Sequence, residues 1–247
     1  MNINGPVMRK LVKYVVAFSV LTVCMSGCVF FEGTVEEESE SEQQESKEEA
    51  NRKFLENLDK QFELQWSLQE RNRANTAFNE TYLSKVEKEV YYYLNLFRIN
   101  PPLFGKTYAS AYDGSIGYSK GYAFDERKQS LLSELSQLGS LPVLEPDELL
   151  FESADCFATE GGKQGIVGHD RSSTGCMKLN VAECCHYGGC FSGYEIVMSF
   201  LVDAGEGNAA LGHRRILTNS RYNKLGVAIR DHATYKKNVV LNLNHQD

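Results

Sequence analysis

The sequence predicts an α+β protein, and three features of the chain support this fold class. Hydrophobic residues make up 42% of the 247 residues and aromatic residues 11%, which is enough to bury a sizeable core. Apolar residues recur at helical spacing in several segments, and short strand-like runs lie near the C-terminal end. Helices and strands are mixed without the regular alternation of a parallel sheet, which favours α+β over α/β.

The first 28 residues have the pattern of an export signal. An apolar run over residues 14–25 is preceded by three basic residues, which are Arg9, Lys10 and Lys13. A helix that spans a bilayer needs about 20 apolar residues, and this run has only twelve. An export signal is therefore the better interpretation than a transmembrane helix.

The run ends in Ser26, Gly27 and Cys28, a succession that resembles the bacterial lipobox. In a lipobox the cysteine becomes the acylated first residue of the mature protein. The resemblance implies that residues 1–27 are a lipoprotein signal peptide and that Cys28 carries the lipid. The protein is then expected on the bacterial cell envelope, outside the cytoplasm, either periplasmic or exposed at the surface.

Residues 28–50 are predicted to be an acidic, disordered tether. Positions 32–49 hold nine glutamates and one lysine, although the net charge of the whole chain is only −7. A segment so rich in Glu, Ser and Gln cannot offset its chain entropy by burial. The rest of the chain is close to neutral and has no basic stripe, which argues against binding to nucleic acid.

Residues 51–79 are predicted to be an amphipathic helical connector. Apolar side chains recur at helical spacing between residues 52 and 70, with charged and amide residues between them. These apolar residues are Phe54, Leu55, Leu58, Phe62, Trp66 and Leu68. Such a helix must pack on the following domain or on a partner.

The domain at 80–247 begins with a helix that Thr81 or Ser84 can cap and that Asn100, followed by two prolines, ends. Two further helices are predicted, one from the leucines of 131–138 and one entered through Pro146 and Asp147. Another helix opens at Ser192, which has the capping-box spacing to Glu195. Strands are predicted at 179–185, 224–230 and 238–244, and the last two strands form a hairpin.

Besides the acylated Cys28, five cysteines remain after removal of the signal peptide, and four of them fall within fifteen residues. Outside the cytoplasm disulfides are permitted, so one or two local bridges are expected, with one thiol left over. On a strand, the adjacent Cys184 and Cys185 would point to opposite faces. A zinc knuckle is disfavoured because no CxxC pair is present.

Short motifs follow one another in a set order over residues 80–247. They are RINPPLFG at 98–105, LPVLEPDELLFESA at 141–154, GHD at 168–170, AE at 182–183, FLVD at 200–203, GHRRIL at 212–217 and KLGVAI at 224–229. This order resembles the CAP superfamily, named for cysteine-rich secretory proteins, antigen 5 and pathogenesis-related proteins. The bacterial members, with their SCP-like domain, are the most similar.

The resemblance implies a three-layer α-β-α sandwich with a central antiparallel sheet, and a cleft lined by two histidines and two acidic residues. GHD assigns the first histidine to His169, and AE assigns the first acid to Glu183. GHRRIL assigns the second histidine to His213. The second acid falls on Asp203, three positions after the aromatic Phe200.

The two histidines are also the expected metal ligands. They lie far apart in sequence, so His169 and His213 can share one zinc or other divalent ion only if the fold brings them together. A flanking carboxylate would complete the coordination or hold a water molecule. Two nitrogens fall short of the three ligands of a catalytic zinc site, so modest binding is expected.

Simpler structural roles compete with these assignments. A single Gly-His pair is more often a histidine that bonds a backbone carbonyl, and only the paired placement favours a cleft. In GHRRIL, Gly212 is expected to let the backbone bend, Ile216 and Leu217 to turn inward, and the arginines to be surface charges that cap carbonyls or pair with acids. Asn95 and Arg98 are expected to fix the first helix of the domain against its neighbours.

The leading functional hypothesis is a non-catalytic, envelope-anchored domain whose cleft binds a divalent metal and a lipid, sterol or peptide. The alternative is a metal-assisted hydrolase or protease with Glu183 as general base. The sequence contains neither HExxH nor GxSxG, which disfavours the enzyme. A nucleophilic Cys185 beside His186 is a third hypothesis, which the opposite orientation of strand neighbours disfavours.

Overall fold

The computed structural model describes residues 34–114, 123–189, 192–205 and 211–246. The predicted signal peptide and Cys28 lie outside these residues. The chain divides into two compact units, Met1–Glu42 and Gln43–Asp247, and the description below concerns the second unit unless stated. Among the helices of the described ranges, none is both long enough and apolar enough to cross a bilayer.

The elements of the described residues are eight α-helices, two short helical turns of other types and four strands. The helices are α1 (Thr34–Phe62), α2 (Leu68–Ala74), α3 (Lys85–Ile99), α4 (Pro101–Phe104), α5 (Phe124–Gln137), α6 (Glu148–Gln164), α7 (Gly193–Val202) and α8 (Gly212–Leu217). A 3₁₀ turn covers Glu63–Gln65 and a π-helical turn covers Gly105–Ala109. The strands are β1 (Glu145–Pro146), β2 (Ala182–Gly188), β3 (Lys224–His232) and β4 (Lys236–Asn244).

Helix α1 differs from the sequence-based expectation at both ends. It begins at Thr34, inside the segment predicted to be disordered, because Glu and Gln are good helix formers whatever their net charge. It ends at Phe62, and Ser67 then caps the separate helix α2. The predicted single helix over 52–70 is therefore two helices.

The predicted apolar stripe packs into the main core. Leu58, Phe62 and Trp66 are at most 6% exposed and belong to the same cluster as the helices of the domain. Residues 51–79 are therefore an integral part of the compact unit, not a connector outside it.

The helix starts predicted from capping patterns are confirmed. Ser84 accepts a hydrogen bond from the Glu87 amide at 3.3 Å, and Glu87 accepts one from the Ser84 amide at 2.7 Å. Asp147 caps α6 and Ser192 caps α7 in the same way, through their side-chain oxygens. Asn100 ends α3 and caps α4.

The four strands form one mixed sheet in the order β1, β3, β4, β2. Strands β3 and β4 form the predicted hairpin, and β2 pairs antiparallel with β4. The short β1 lies parallel to β3, so the sheet is not purely antiparallel. Strand β2 starts at Ala182, three residues later than predicted.

Alternate residues of the strands belong to two different apolar clusters. Cys185, Ala228 and Val240 pack with the apolar residues of α6. Cys184, Val227 and their same-face neighbours join the larger cluster that contains α3 and α7. Successive strand residues face opposite sides of a sheet, which explains the separation. The prediction that Cys184 and Cys185 point apart is confirmed.

Buried polar side chains hold the helices to the ends of the strands. Arg98 is fully buried and donates to carbonyl oxygens of Pro142, Leu217, Asn219 and Tyr222. Asn95 donates to the Leu144 carbonyl at 2.9 Å and accepts from the Leu144 amide at 2.7 Å. The structural role predicted for both residues is confirmed.

One disulfide joins Cys156 of α6 to Cys176, which precedes β2. Cys184 and Cys185 are free, buried thiols. Cys190 lies outside the described residues.

Candidate functional site

His169 lies in the loop between α6 and β2 and is paired with Glu183 of β2. Its Nδ1 is 2.9 Å from Glu183 Oε1, and its side chain is 52% exposed. The preceding Gly168 has φ +99°, a conformation that favours glycine. Tyr187 braces this turn, since its hydroxyl accepts from the Gly168 amide at 2.9 Å and donates to its carbonyl at 3.0 Å.

Arg171 holds the other oxygen of Glu183. Its guanidinium is buried, donates to Glu183 Oε2, and also donates to the Ser153 carbonyl at 2.9 Å. Its charge lies 4.5 Å from the centre of the Phe157 ring. Burial of Glu183 opposes ionisation, but hydrogen bonds from His169 and Arg171 outweigh it and hold the pKa of Glu183 below its ordinary value. Glu183 is therefore a carboxylate at neutral pH.

Cys185 completes a group that the sequence analysis did not identify. Its Sγ lies 3.6 Å from His169 Nδ1, and one potential ligand atom from each of His169, Glu183 and Cys185 lies within 4.8 Å of the others. The sequence could have indicated this group, because Glu183 and Cys185 are two residues apart and residues two apart on a strand share a face. Burial raises the pKa of the Cys185 thiol well above its ordinary value, so the thiol is protonated at neutral pH.

His213 lies at the start of α8 and is paired with Asp203. Its Nδ1 is 2.9 Å from Asp203 Oδ1, and its backbone amide donates to Oδ2 at 3.1 Å. Asp203 ends α7 in the left-handed conformation, at φ +55°, with only 2% of its side chain exposed. Leu211 also has a positive φ, whereas Gly212 does not, so the bend expected at Gly212 occurs one residue earlier.

A second imidazole stands behind His213. The His186 ring of β2 lies 5.6 Å from the Phe200 ring, which in turn lies 5.0 Å from the His213 ring. Burial, followed by repulsion from His213, lowers the pKa of His186 to about 4. His186 is therefore neutral at physiological pH. In the sequence, His186 stands out only as the neighbour of Cys185.

The predicted cleft residues thus form two histidine–carboxylate pairs at strand β2. Glu183 and Cys185 lie on the face covered by α6, because they pair in register with Asn242 and Val240, whose neighbours are in α6. His186 lies on the opposite face, toward Phe200 of α7 and His213.

This placement bears on the metal site expected from His169 and His213. In the part of the chain that the structure describes, the cluster of three potential ligands contains His169 but not His213. Glu183 and Cys185 join His169 in this cluster because residues two apart on a strand share a face. An ion shared by His169 and His213 stays a prediction.

Arg214 corrects the expectation of a surface arginine. It is 1% exposed and donates to the Leu201 carbonyl at 2.6 Å and the Val202 carbonyl at 3.1 Å. The expected capping of carbonyls is confirmed, but it occurs in the core at the end of α7. Leu217 is fully buried and Ile216 partly buried, so both turn inward as predicted.

No protein-family model matches the sequence, and no curated protein shows significant similarity to it.

Proposed function

We propose that this chain is an extracytoplasmic lipoprotein of the CAP superfamily whose domain binds a ligand without catalysing a reaction. One observation carries the proposal. Each histidine assigned by a motif is hydrogen-bonded to one of the two assigned acids, His169 to Glu183 and His213 to Asp203, both at 2.9 Å. Four residues chosen from four separate motifs thus form two pairs.

The packing of the sheet supports the same family. Helix α6 packs on β3 and β4, while α3 and α7 share a second apolar cluster with the alternate strand residues. Two apolar clusters on the two faces of one sheet are what a three-layer α-β-α sandwich requires.

The ligand site is proposed at His213. Asp203 holds Nδ1 and orients the imidazole, and a quarter of the His213 side chain is exposed. Phe200 and the neutral His186 give the site an apolar base. A polar atom above an apolar base suits a lipid, a sterol or a peptide.

The hydrolase alternative receives less support. Both oxygens of Glu183 are engaged by His169 and Arg171, and its lowered pKa makes it a weak general base. A cysteine nucleophile is also disfavoured, because burial raises the pKa values of the thiols of Cys184 and Cys185.

Native mass spectrometry of the protein, extracted from its own envelope in mild detergent, tests the proposal. The wild type should retain a ligand of defined mass, and His213→Ala should lose it while its circular dichroism spectrum is unchanged. His245→Ala, a change at an exposed histidine near the C-terminus, is the matched control and should retain the ligand.

Two results would contradict the proposal. One is retention of the same ligand by His213→Ala. The other is zinc-dependent cleavage of a casein substrate that is lost in Glu183→Gln, which would instead support the hydrolase.

A further inference from the structure

We infer that His169, Glu183 and Cys185 form a divalent-metal site of the zinc type, on the α6 face of β2 and independent of His213. This site does not depend on the lipid anchor, the family or the ligand proposed above. It differs from the metal site expected from the sequence because Cys185, and not His213, joins His169 as a ligand.

The ligand distances fit a tetrahedral ion. With metal–ligand bonds of about 2.1 Å to N and O and about 2.3 Å to S, tetrahedral geometry separates N from S by roughly 3.6 Å and N from O by roughly 3.4 Å. The distance from His169 Nδ1 to Cys185 Sγ is 3.6 Å. The distance from Nδ1 to Glu183 Oε1 is 2.9 Å, so that pair would open slightly as the ion replaces the hydrogen bond.

The three ligands differ in their exposure to solvent. The Cys185 residue is 7% exposed, the Glu183 side chain 11% and the His169 side chain 52%. The two anionic ligands are therefore held in place by the sheet, while the imidazole lies at the surface, where an ion enters. Three protein ligands leave one position of a tetrahedral ion open toward solvent.

Arg171 provides an outer partner for the site. It donates to Glu183 Oε2 and is anchored by the Ser153 and Met177 carbonyls, so Oε1, which contacts His169, is the oxygen that would bind the ion. Hydrogen bonds of this kind orient ligating carboxylates in metal sites. The buried guanidinium of Arg171 keeps the carboxylate of Glu183 as its counter-ion, whether or not a metal ion is bound.

The donor set selects the class of metal. A thiolate, an imidazole and a carboxylate suit zinc and similar ions, whereas magnesium and calcium prefer oxygen ligands alone. Two anionic ligands neutralise the charge of a divalent ion in a partly buried position. Binding displaces the proton of the Cys185 thiol into solvent, because a coordinated thiol is held as the thiolate.

Cobalt(II) titration of the mature chain tests the site, because cobalt bound to a thiolate has a charge-transfer absorption in the near ultraviolet. Cys28→Ser and Cys190→Ser are present throughout, so that neither of those thiols contributes. We expect one cobalt per chain with this absorption, and its loss when zinc is added. Cys185→Ser should abolish the absorption.

The chain supplies its own control, because Cys184 is an adjacent free thiol on the opposite face. Cys184→Ser and His213→Ala should leave the cobalt spectrum unchanged. His169→Ala alters an exposed side chain, which the fold tolerates, and should weaken cobalt binding by at least about tenfold.

Three results would overturn the inference. They are the absence of the absorption in the reference protein, its survival in Cys185→Ser, and unchanged cobalt affinity in His169→Ala. Should Cys185→Ser fail to fold, His169→Ala decides alone. Retention of the envelope ligand by His213→Ala would contradict the proposed ligand site and leave the cobalt result untouched, so the two proposals fail separately.

Discussion

Asp59 of α1 is a carboxyl group buried between two tyrosines. Its Oδ1 accepts hydrogen bonds from the hydroxyls of Tyr93 at 3.2 Å and Tyr108 at 3.0 Å. Burial raises its pKa above the ordinary value, although the two hydroxyls favour the ionised form, and Glu63 adds a small repulsion. The folded protein therefore binds a proton at Asp59 more readily than the unfolded chain does.

The raised pKa of Asp59 predicts the direction in which pH changes the effect of Asp59→Asn on stability. A raised pKa stabilises the fold below the pKa of the unfolded chain, and this contribution is lost as the pH rises through the folded pKa. The free energy of unfolding of the wild type, relative to the variant, should thus be larger near pH 4 than near pH 7. Urea titrations at the two pH values measure it.

Asp231→Asn is the matched control, because Lys237 lowers the pKa of this exposed carboxyl group. A lowered pKa has the opposite effect on stability to a raised one. The free energy of unfolding of the wild type, relative to Asp231→Asn, should therefore fall slightly as the pH falls. A constant difference between wild type and Asp59→Asn over this range would contradict the assignment.

The segment from α1 to α2 is the part of the chain where the structure differs most from the expectation based on the sequence. If residues 51–79 were only a connector, a protein beginning near residue 75 would keep its melting temperature. The burial of Leu58, Phe62 and Trp66 in the main cluster now predicts a large loss.

Trp66→Ala isolates this packing in one substitution. The Trp66 side chain is 2% exposed, so its removal should destabilise the protein by about 3–5 kcal/mol. Leu64, two residues away, is 96% exposed, and Leu64→Ala should change stability by no more than about 0.5 kcal/mol. Chemical denaturation measures both, and equal effects would refute the docking of this segment.

The contact between α6 and β3 depends on a glycine. A Cβ atom at Gly226 would overlap the backbone of Leu150 and Phe151, so Gly226→Ala must push α6 away from the sheet. A loss of about 1–3 kcal/mol is expected. Gly139, whose Cβ would meet nothing within 4 Å, provides the control, since Gly139→Ala should leave the melting temperature nearly unchanged.

For the molecule as a whole, the location depends on the predicted acylation of Cys28. Cys28→Ser should release the protein from membranes into the soluble fraction, because the acyl chains supply the apolar area that holds a lipoprotein to a bilayer. Carbonate washing of membrane fractions measures the release. Ser26→Ala keeps a small residue before the cysteine and should remain bound. A Cys28→Ser protein that stays in the washed membranes would exclude the lipid anchor.

Local rules determined much of this protein. Ser84, Asp147 and Ser192 were identifiable as helix starts because a cap and its amide lie within three residues of each other. The opposite orientation of Cys184 and Cys185 follows from the two-residue period of any strand. The motifs also named both histidines and their acidic partners.

Only the tertiary structure decided which of these residues meet. Glu183 and His169 were both predicted to line the cleft, but the approach of Glu183 and Cys185 to the same imidazole depends on where the loop after α6 crosses β2. Arg214 looks like a surface residue in sequence and is buried only because α7 ends directly above it. Periodicity and capping extend over a few residues, whereas these contacts depend on how distant segments pack around the sheet.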